Sequence, residues 1–297
     1  MMKKVLQPVL DFLLFSNLFI AICAVAQGLV TYHLLNATPD IYILAFLFFA
    51  TISQYNFSMV LSKPKNPSHS PYLRVRWIFS HYRLIISITL IAGLCLIPLF
   101  LWYLSIEGQL LMIFIGVLAV GYSLPFLTLN HQKIGLRNIP GIKLFLIAFV
   151  WSAGTVLLPI VEMEHNHQIN ISTVDALLLV AKRFLFVAAI TVPFDIRDLF
   201  QDKLYELKTI PVMLGERKAY IFCQVLLVGY FLFLLLFNQA TTSDVLALSA
   251  TLIVTGWLIF HSGIRKNEYY YFLWLDGTML LQYLMLLASG YITTLVG

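Results

Sequence analysis

Nine apolar stretches, each close to the ~20 residues that a helix needs to cross a bilayer, dominate this chain. They fall at residues 10–32, 41–61, 84–104, 109–127, 141–161, 173–193, 219–237, 245–261 and 272–295. Hydrophobic residues make up 60% of the 297 positions and charged residues 11%, where a soluble domain carries about 25% charged. No soluble fold buries that much apolar surface, so lipid must be the solvent for most of it. The expected fold is all-α, a polytopic membrane protein of about nine transmembrane helices.

The loops between these stretches alternate in charge. One set holds Lys3, Lys4, Lys63, Lys65, Arg74, Arg76, Arg83, Lys133, Arg137, Lys143, Arg197, Lys203, Lys208, Arg217, Lys218, Arg265 and Lys266. The opposite set has no Lys or Arg and carries Asp40, Glu107, Glu162, Glu164 and Asp244. The positive-inside rule then puts the N-terminus in the cytoplasm and the C-terminus outside, with a bacterial inner (plasma) membrane as the expected location. Basic loops on one face account for the net charge of +5 without any nucleic-acid partner. Lys3 and Lys4 followed by an apolar run and Ala24-Val25-Ala26 imitate a signal peptide. The run continues to Tyr32, however, and is read as the first span. Cys23, Cys95 and Cys223 lie in apolar runs at no metal or disulfide spacing and read as free thiols.

Two basic loops, 62–83 and 194–218, are longer than the rest and suit a cap over a helix bundle. Each follows an inward-running span, which hints at two related four-helix units. Lys182 and Arg183 sit inside the sixth span. Charges at that depth either face the bundle interior or snorkel to an interface, and the sequence leaves both open.

The stretch after the sixth span reads DIRDLFQDKLYELKTIPVMLG. If the helix continues past Val192, Asp195, Asp198 and Asp202 share one face at i, i+3 and i+7. Their mutual repulsion calls for compensation, and a divalent cation such as Mg²⁺, which keeps some waters and bridges to phosphate oxygens, suits such a set. A solvated acidic helix end neutralised by Arg197, Lys203 and Lys208 fits the spacing too. The loop 121–143 carries Tyr122, Ser123, Lys133, Arg137 and Lys143, cations that would hold a diphosphate but that positive-inside topology already explains.

Taken together, these loops resemble the UbiA superfamily of intramembrane prenyltransferases. The resemblance rests on Tyr122-Ser123-Leu124-Pro125, on Asn138-Ile-Pro-Gly-Ile-Lys143, and on the second aspartate motif DxxDxxxD with Lys208-Thr209-Ile210-Pro211-Val212 and Leu214-Gly215 behind it. It spans nearly the whole length, so the chain is expected to be a single transmembrane domain, 1–297, built around a central cavity. The resemblance implies a reaction: a prenyl group moves from its diphosphate to a hydrophobic or aromatic acceptor, with Mg²⁺ between two facing aspartate motifs. It implies Asp195, Asp198 and Asp202 as catalytic metal ligands. It further implies Lys133 and Lys208 at the diphosphate, Tyr122 in the pocket near the reacting carbon, and Asn56 as a polar contact.

The match fails at the first motif. Where NDxxDxxxD belongs, the chain reads Asn56-Phe-Ser-Met-Val-Leu-Ser-Lys-Pro64, and the three aspartate positions hold Phe57, Val60 and Pro64. Two readings follow. The enzyme is active with Lys63, Lys65, Arg74 or Arg76 replacing lost metal charge, or the chain is a catalytically impaired relative that binds a prenyl lipid or a partner. His69 and His81 read as loop polarity, and His165-Asn-His167 as incidental.

Overall fold

A computed structural model describes residues 2–123, 127–129, 132–134, 141–200, 208–263 and 266–296. Side chains are described for these except 2–5, 122–123, 127–134 and 292–296. The helices are α1 (Met2–Phe15), α2 (Leu18–Leu34), α3 (Ile41–Leu61), α4 (Leu73–Ser80), α5 (Tyr82–Pro98), α6 (Ile106–Ser123), α7 (Ile142–Ser152), α8 (Leu158–His165), α9 (Thr173–Arg197), α10 (Ile210–Leu214), α11 (Glu216–Leu236), α12 (Thr242–Phe260) and α13 (Asp276–Val296). π-helical turns extend α5 at Leu99–Tyr103, join α7 to α8 at Ala153–Leu157 and lead into α13 at Tyr270–Leu275. The two short strands, Leu127–Leu129 and Gln132–Ile134, pair with each other in a small antiparallel hairpin.

Every expected span finds a helix, but their number differs from nine when length is required. Among the described residues, seven helices are long and apolar enough to cross a membrane. An eighth forms if the first pair counts as one, although it bends by 64° between Phe15 and Leu18. Ile106–Gly121 is apolar but short. The bend has a local cause: Asn17 adopts the left-handed conformation, φ 68°, which a continuing helix does not allow.

Two acids of the loops that carry no Lys or Arg cap helices. Asp40 accepts from the backbone N–H of Tyr42 at 2.8 Å at the start of α3. Thr241 and Asp244 form a reciprocal capping box on α12. Glu162 accepts the N–H and hydroxyl of Ser105, each at 3.0 Å, tying α8 to the turn before α6. Orphan N–H groups and the positive end of each helix dipole favour carboxylates here, so acids of these loops also start helices.

The helices close into a ring. α3 packs on α2, α2 on α13, α13 on α12, α12 on α11, α11 on α9, α9 on α7, α7 on α6, and α6 back on α3, with α5 outside against α3. Leucines and isoleucines such as Leu90 and Leu94 on α5 point outward, the surface lipid would cover. Lys182 and Arg183 face the interior, 2% and 5% exposed. Arg183 donates to the carbonyl of Gln27 at 2.9 Å, and Lys182 lies over the Phe237 ring. This resolves their two readings in favour of the bundle interior.

Candidate functional site

At the end of the ring that bears the basic loops, a cavity of about 590 Å³ opens between α1, α2, α3, α7, α9 and α13. Its walls carry three carboxylates, Asp195, Asp198 and Asp276, and two cations, Lys143 and Arg74.

α9 does run past Val192. It ends at Arg197, with Asp198 as its C-cap, so Asp195 sits in the last helical turn. Asp195 is 1% exposed and pairs with Lys143, whose Nζ stands 2.5 Å from Oδ1. Lys143 reaches it from the first turn of α7, which begins at Gly141. That residue has φ 72°, a conformation glycine adopts at no cost, and its N–H donates to the carbonyl of Lys208 at 3.4 Å. The loops 121–143 and 194–218, expected to act together, meet at that bond.

Asp198 is held by its own neighbour. Arg197 donates from Nε to Oδ1 at 2.8 Å and from Nη2 to Oδ2 at 2.9 Å, a two-pronged pair. The hydroxyl of Tyr72 adds a bond to Oδ1 at 2.9 Å. Burial and the Asp198 carboxylate raise the Tyr72 hydroxyl far above its ordinary value, so it stays a donor. The Arg197 guanidinium lies among Tyr72, Phe194, Tyr271 and Phe272.

Of the five cations in loop 62–83, Arg74 lines the cavity. α4 is anchored by Glu268, whose carboxylate accepts the N–H groups of Leu73 and of Arg74, the latter at 2.9 Å. The Arg74 guanidinium sits 4.6 Å above the Phe272 ring and donates to Asn17 Oδ1 at 2.5 Å. Asn17 in turn donates to Asn56 Oδ1 at 2.6 Å. Burial first, and the neighbouring Arg197 second, press the Arg74 guanidinium below its ordinary value, though an arginine keeps its proton in proteins. Lys63 lies over the Phe79 and Tyr82 rings, and Arg76 bonds the carbonyl of Ser70 on the exposed side.

The expected site residues therefore separate. Asp195 and Asp198 line the cavity, while Asn56 is wholly buried behind Asn17 rather than on its surface. Lys208 is exposed and does not line the cavity. Asp202 and the side chains of Tyr122 and Lys133 lie outside the described residues. Among the described residues, no group of three His, Cys, Asp or Glu side chains is placed to hold a metal ion. His69 and His81 bond to neighbouring serines on the surface, as their reading as loop polarity expects.

Sequence reasoning missed Asn17, Tyr55 and Asp276, and named Lys143 only as one loop cation among several. A signal for Asp276 existed. It is a lone acid within an apolar stretch, and such a residue marks a cavity more often than lipid.

An apolar pocket adjoins the cavity. Tyr55 and Trp151 line both the cavity and this pocket of about 470 Å³, whose walls include Phe46, Phe57, Phe100 and Ile115. Phe57, at an expected aspartate position, faces that pocket. Val60, at another, packs with Ile78 and Ile85.

Solved structures share this fold. The chain is similar to a UbiA homolog from Archaeoglobus fulgidus bound to GPP and Mg²⁺, with a TM-score of 0.63 and 13% identity over 94% of this chain and 99% of that one. It is similar to the apo structure of a UbiA homolog from Aeropyrum pernix K1, with a TM-score of 0.67 and 12% identity over 92% and 98%. The fold is the UbiA fold. A digeranylgeranylglyceryl phosphate synthase is similar as well, with a TM-score of 0.54 and 11% identity over 95% and 98%. No protein-family model and no curated protein matches the sequence. At these identities the likeness establishes the UbiA fold, and the function must be argued from the cavity.

Proposed function

We propose that the protein is a prenyltransferase that takes a prenyl diphosphate into this cavity and transfers the prenyl group to a hydrophobic, aromatic acceptor within the membrane. One observation carries the reading: the charged cavity walled by Asp195, Asp198, Lys143 and Arg74 adjoins, across Tyr55 and Trp151, an apolar pocket. Such a shape suits a molecule with a strongly anionic head and a hydrocarbon tail. The similar Archaeoglobus fulgidus structures bound to GPP and to DMAPP with Mg²⁺ support it.

The residues present fit one hard cation rather than two. Asp195 and Asp198 offer carboxylate oxygens on one wall, and the facing wall from α3 offers Ser58 and Ser62 but no carboxylate. Asp195 and Asp198 would hold the ion. Bound there, Mg²⁺ would supply positive charge to the departing diphosphate.

The chain's own groups do the rest. Lys143 and Arg74 neutralise phosphate oxygens as the bond from C1 to oxygen breaks and its electron pair leaves with the diphosphate. The acceptor carbon gives an electron pair to C1 and then loses its proton to a base. Tyr55, Trp151 and the phenylalanines exclude water from the allylic cation, and their ring faces attract it. The basic end of the bundle faces the cytoplasm in this reading, where prenyl diphosphates are water-accessible.

A second reading has its own support. Asp195 and Asp198 are each already ion-paired with a side chain of the protein, which suits a prenyl-lipid-binding or accessory protein with a locked site. An assay in membranes with prenyl diphosphates and aromatic acceptors, with and without Mg²⁺, separates them. Transfer requires metal-stimulated product and diphosphate release, whereas a binding protein holds prenyl lipid equally well in both conditions.

A further inference from the structure

Three carboxylates line the charged cavity, and two of them are already engaged. Asp195 pairs with Lys143, and Asp198 with Arg197 and Tyr72. The third, Asp276, is half-buried. Among the described residues it makes no ion pair and its carboxylate no hydrogen bond. Its backbone carbonyl alone is engaged, by the Cys23 thiol at 3.4 Å. Nor is it placed with Asp195 and Asp198 to hold a metal ion among three acids. The helices account for the separation. Asp195 and Asp198 sit at the end of α9, whereas Asp276 follows the π-helical turn Tyr270–Leu275, about two turns inside the start of its span. The cations whose charge reaches it are Arg74 of α4 and Arg197 of α9. Its own charge acts on Cys23 of α2 and on Tyr55 of α3, the ring that also lines the apolar pocket. An acid held this deep in a spanning helix is costly, and it persists where a cavity gives it work.

We propose that Asp276 is the base on the acceptor side of the reaction, accepting a hydrogen bond from a ring hydroxyl of the acceptor and then its proton. The inference rests on the prenyltransferase reading and deepens it, since it names the group that activates the acceptor. An ionised carboxylate only accepts hydrogen bonds, so its complement is an O–H group, and a second carboxylate brought beside it would be repelled. The acceptor is therefore a phenol that needs no acid group of its own. The step balances. As the ring carbon next to the hydroxyl bonds to C1, the O–H bond breaks and its proton passes to Asp276. The O–H electron pair becomes the carbonyl of a dienone, and the pair of the C1–O bond leaves with the diphosphate. When the substituted carbon then loses its proton, Asp276 returns its own to the oxygen, and the ring is restored as the prenylated phenol. Moving the proton as carbon attacks spares the ring a full positive charge.

The test uses membranes containing the full chain, Mg²⁺, geranyl and longer prenyl diphosphates, and acceptors in matched sets: a phenol, its methyl ether, and the same ring with a carboxylate in place of the hydroxyl. The expected result is transfer to the phenol at about a hundredfold or more the rate on the other two. Asp276→Asn should lower kcat on the phenol by about a hundredfold and leave KM for the diphosphate within about threefold of the wild type. A fluorinated phenol already ionised at the assay pH needs no base, so on it the variant should come within about tenfold of the wild type, a rescue that a merely structural role would not give. Equal use of the ether or the carboxylate, an Asp276→Asn protein as active as the wild type on the phenol, or an equal loss on both phenols would overturn the proposal. The acceptor comparison needs no variant, so a poorly folding substitution does not shield it. Diphosphate release without any prenylated phenol defeats this inference alone, whereas no release from any donor defeats the transferase reading beneath it.

Discussion

Lys143 Nζ and Asp195 Oδ1 stand 2.5 Å apart, joining the first turn of α7 to the last turn of α9 across the charged end of the cavity. The carboxylate side chain is 2% exposed and the ammonium side chain 26%. The pair is therefore asymmetric. Losing the lysine strands a buried charge, and losing the aspartate leaves a cation that water still reaches.

The asymmetry sets the order of two variants. Lys143→Met should destabilise the protein by about 2–4 kcal/mol, because breaking a buried pair by removing one partner leaves the other uncompensated. Asp195→Asn should cost less, and the double variant should recover part of the loss. Thermal unfolding in a fixed detergent, arranged as a double-mutant cycle, measures the coupling. Equal losses for the two single variants would show that Asp195 is compensated by other groups.

Val60 should not accept an aspartate. It packs with Ile78 and Ile85, so a carboxylate there would sit in apolar surroundings rather than in the cavity. Val60→Asp should lower stability by about 3 kcal/mol or more and add no metal binding. Mn²⁺ binding and thermal stability check both halves, and a gain of a bound ion would show that α3 presents this position to the site.

Trp151 and Tyr55 line both the charged and the apolar cavities and would form the passage between them for a prenyl chain. Trp151→Ala should widen it and shift preference among prenyl diphosphates of different length by about tenfold, the usual scale for a few methylenes in an apolar pocket. Competition between a short and a long donor reads this directly. An unchanged ratio would remove the passage from the path of the chain.

Among the described residues, Lys182 Nζ has no hydrogen-bond partner, and it meets the Phe237 ring. Lys182→Met should be neutral or stabilising by up to about 2 kcal/mol, since a buried cation without a paired anion costs more solvation than it recovers. A marked loss of stability would assign Lys182 an anionic partner.

Most of the apolar helices were legible because lipid imposes one rule on every segment, although the count of nine is not confirmed. Residues 41–61 were read to the same limits as Ile41–Leu61 of α3, and 173–193 as most of α9. What escaped was decided by side-chain encounters across the ring. Asn17 breaks the first span through its own backbone conformation, a feature that hydropathy averages away. Asn56 looked like a site residue because of its string, yet it acts behind Asn17, a contact 39 residues distant. Arg74 was one of five equivalent loop cations until α4 and Glu268 fixed its direction. Arg197 was one of three cations near the aspartates, and the structure pairs it with Asp198.

The account turns on whether Asp195 serves transfer chemistry. Membranes containing the protein should convert a prenyl diphosphate and an aromatic acceptor into prenylated product and diphosphate in equal amounts, and Asp195→Asn should reduce that rate by about a hundredfold or more. If no donor releases diphosphate, with or without Mg²⁺, while the protein still binds prenyl lipid, the cavity is a lipid-binding site and the transferase account is wrong.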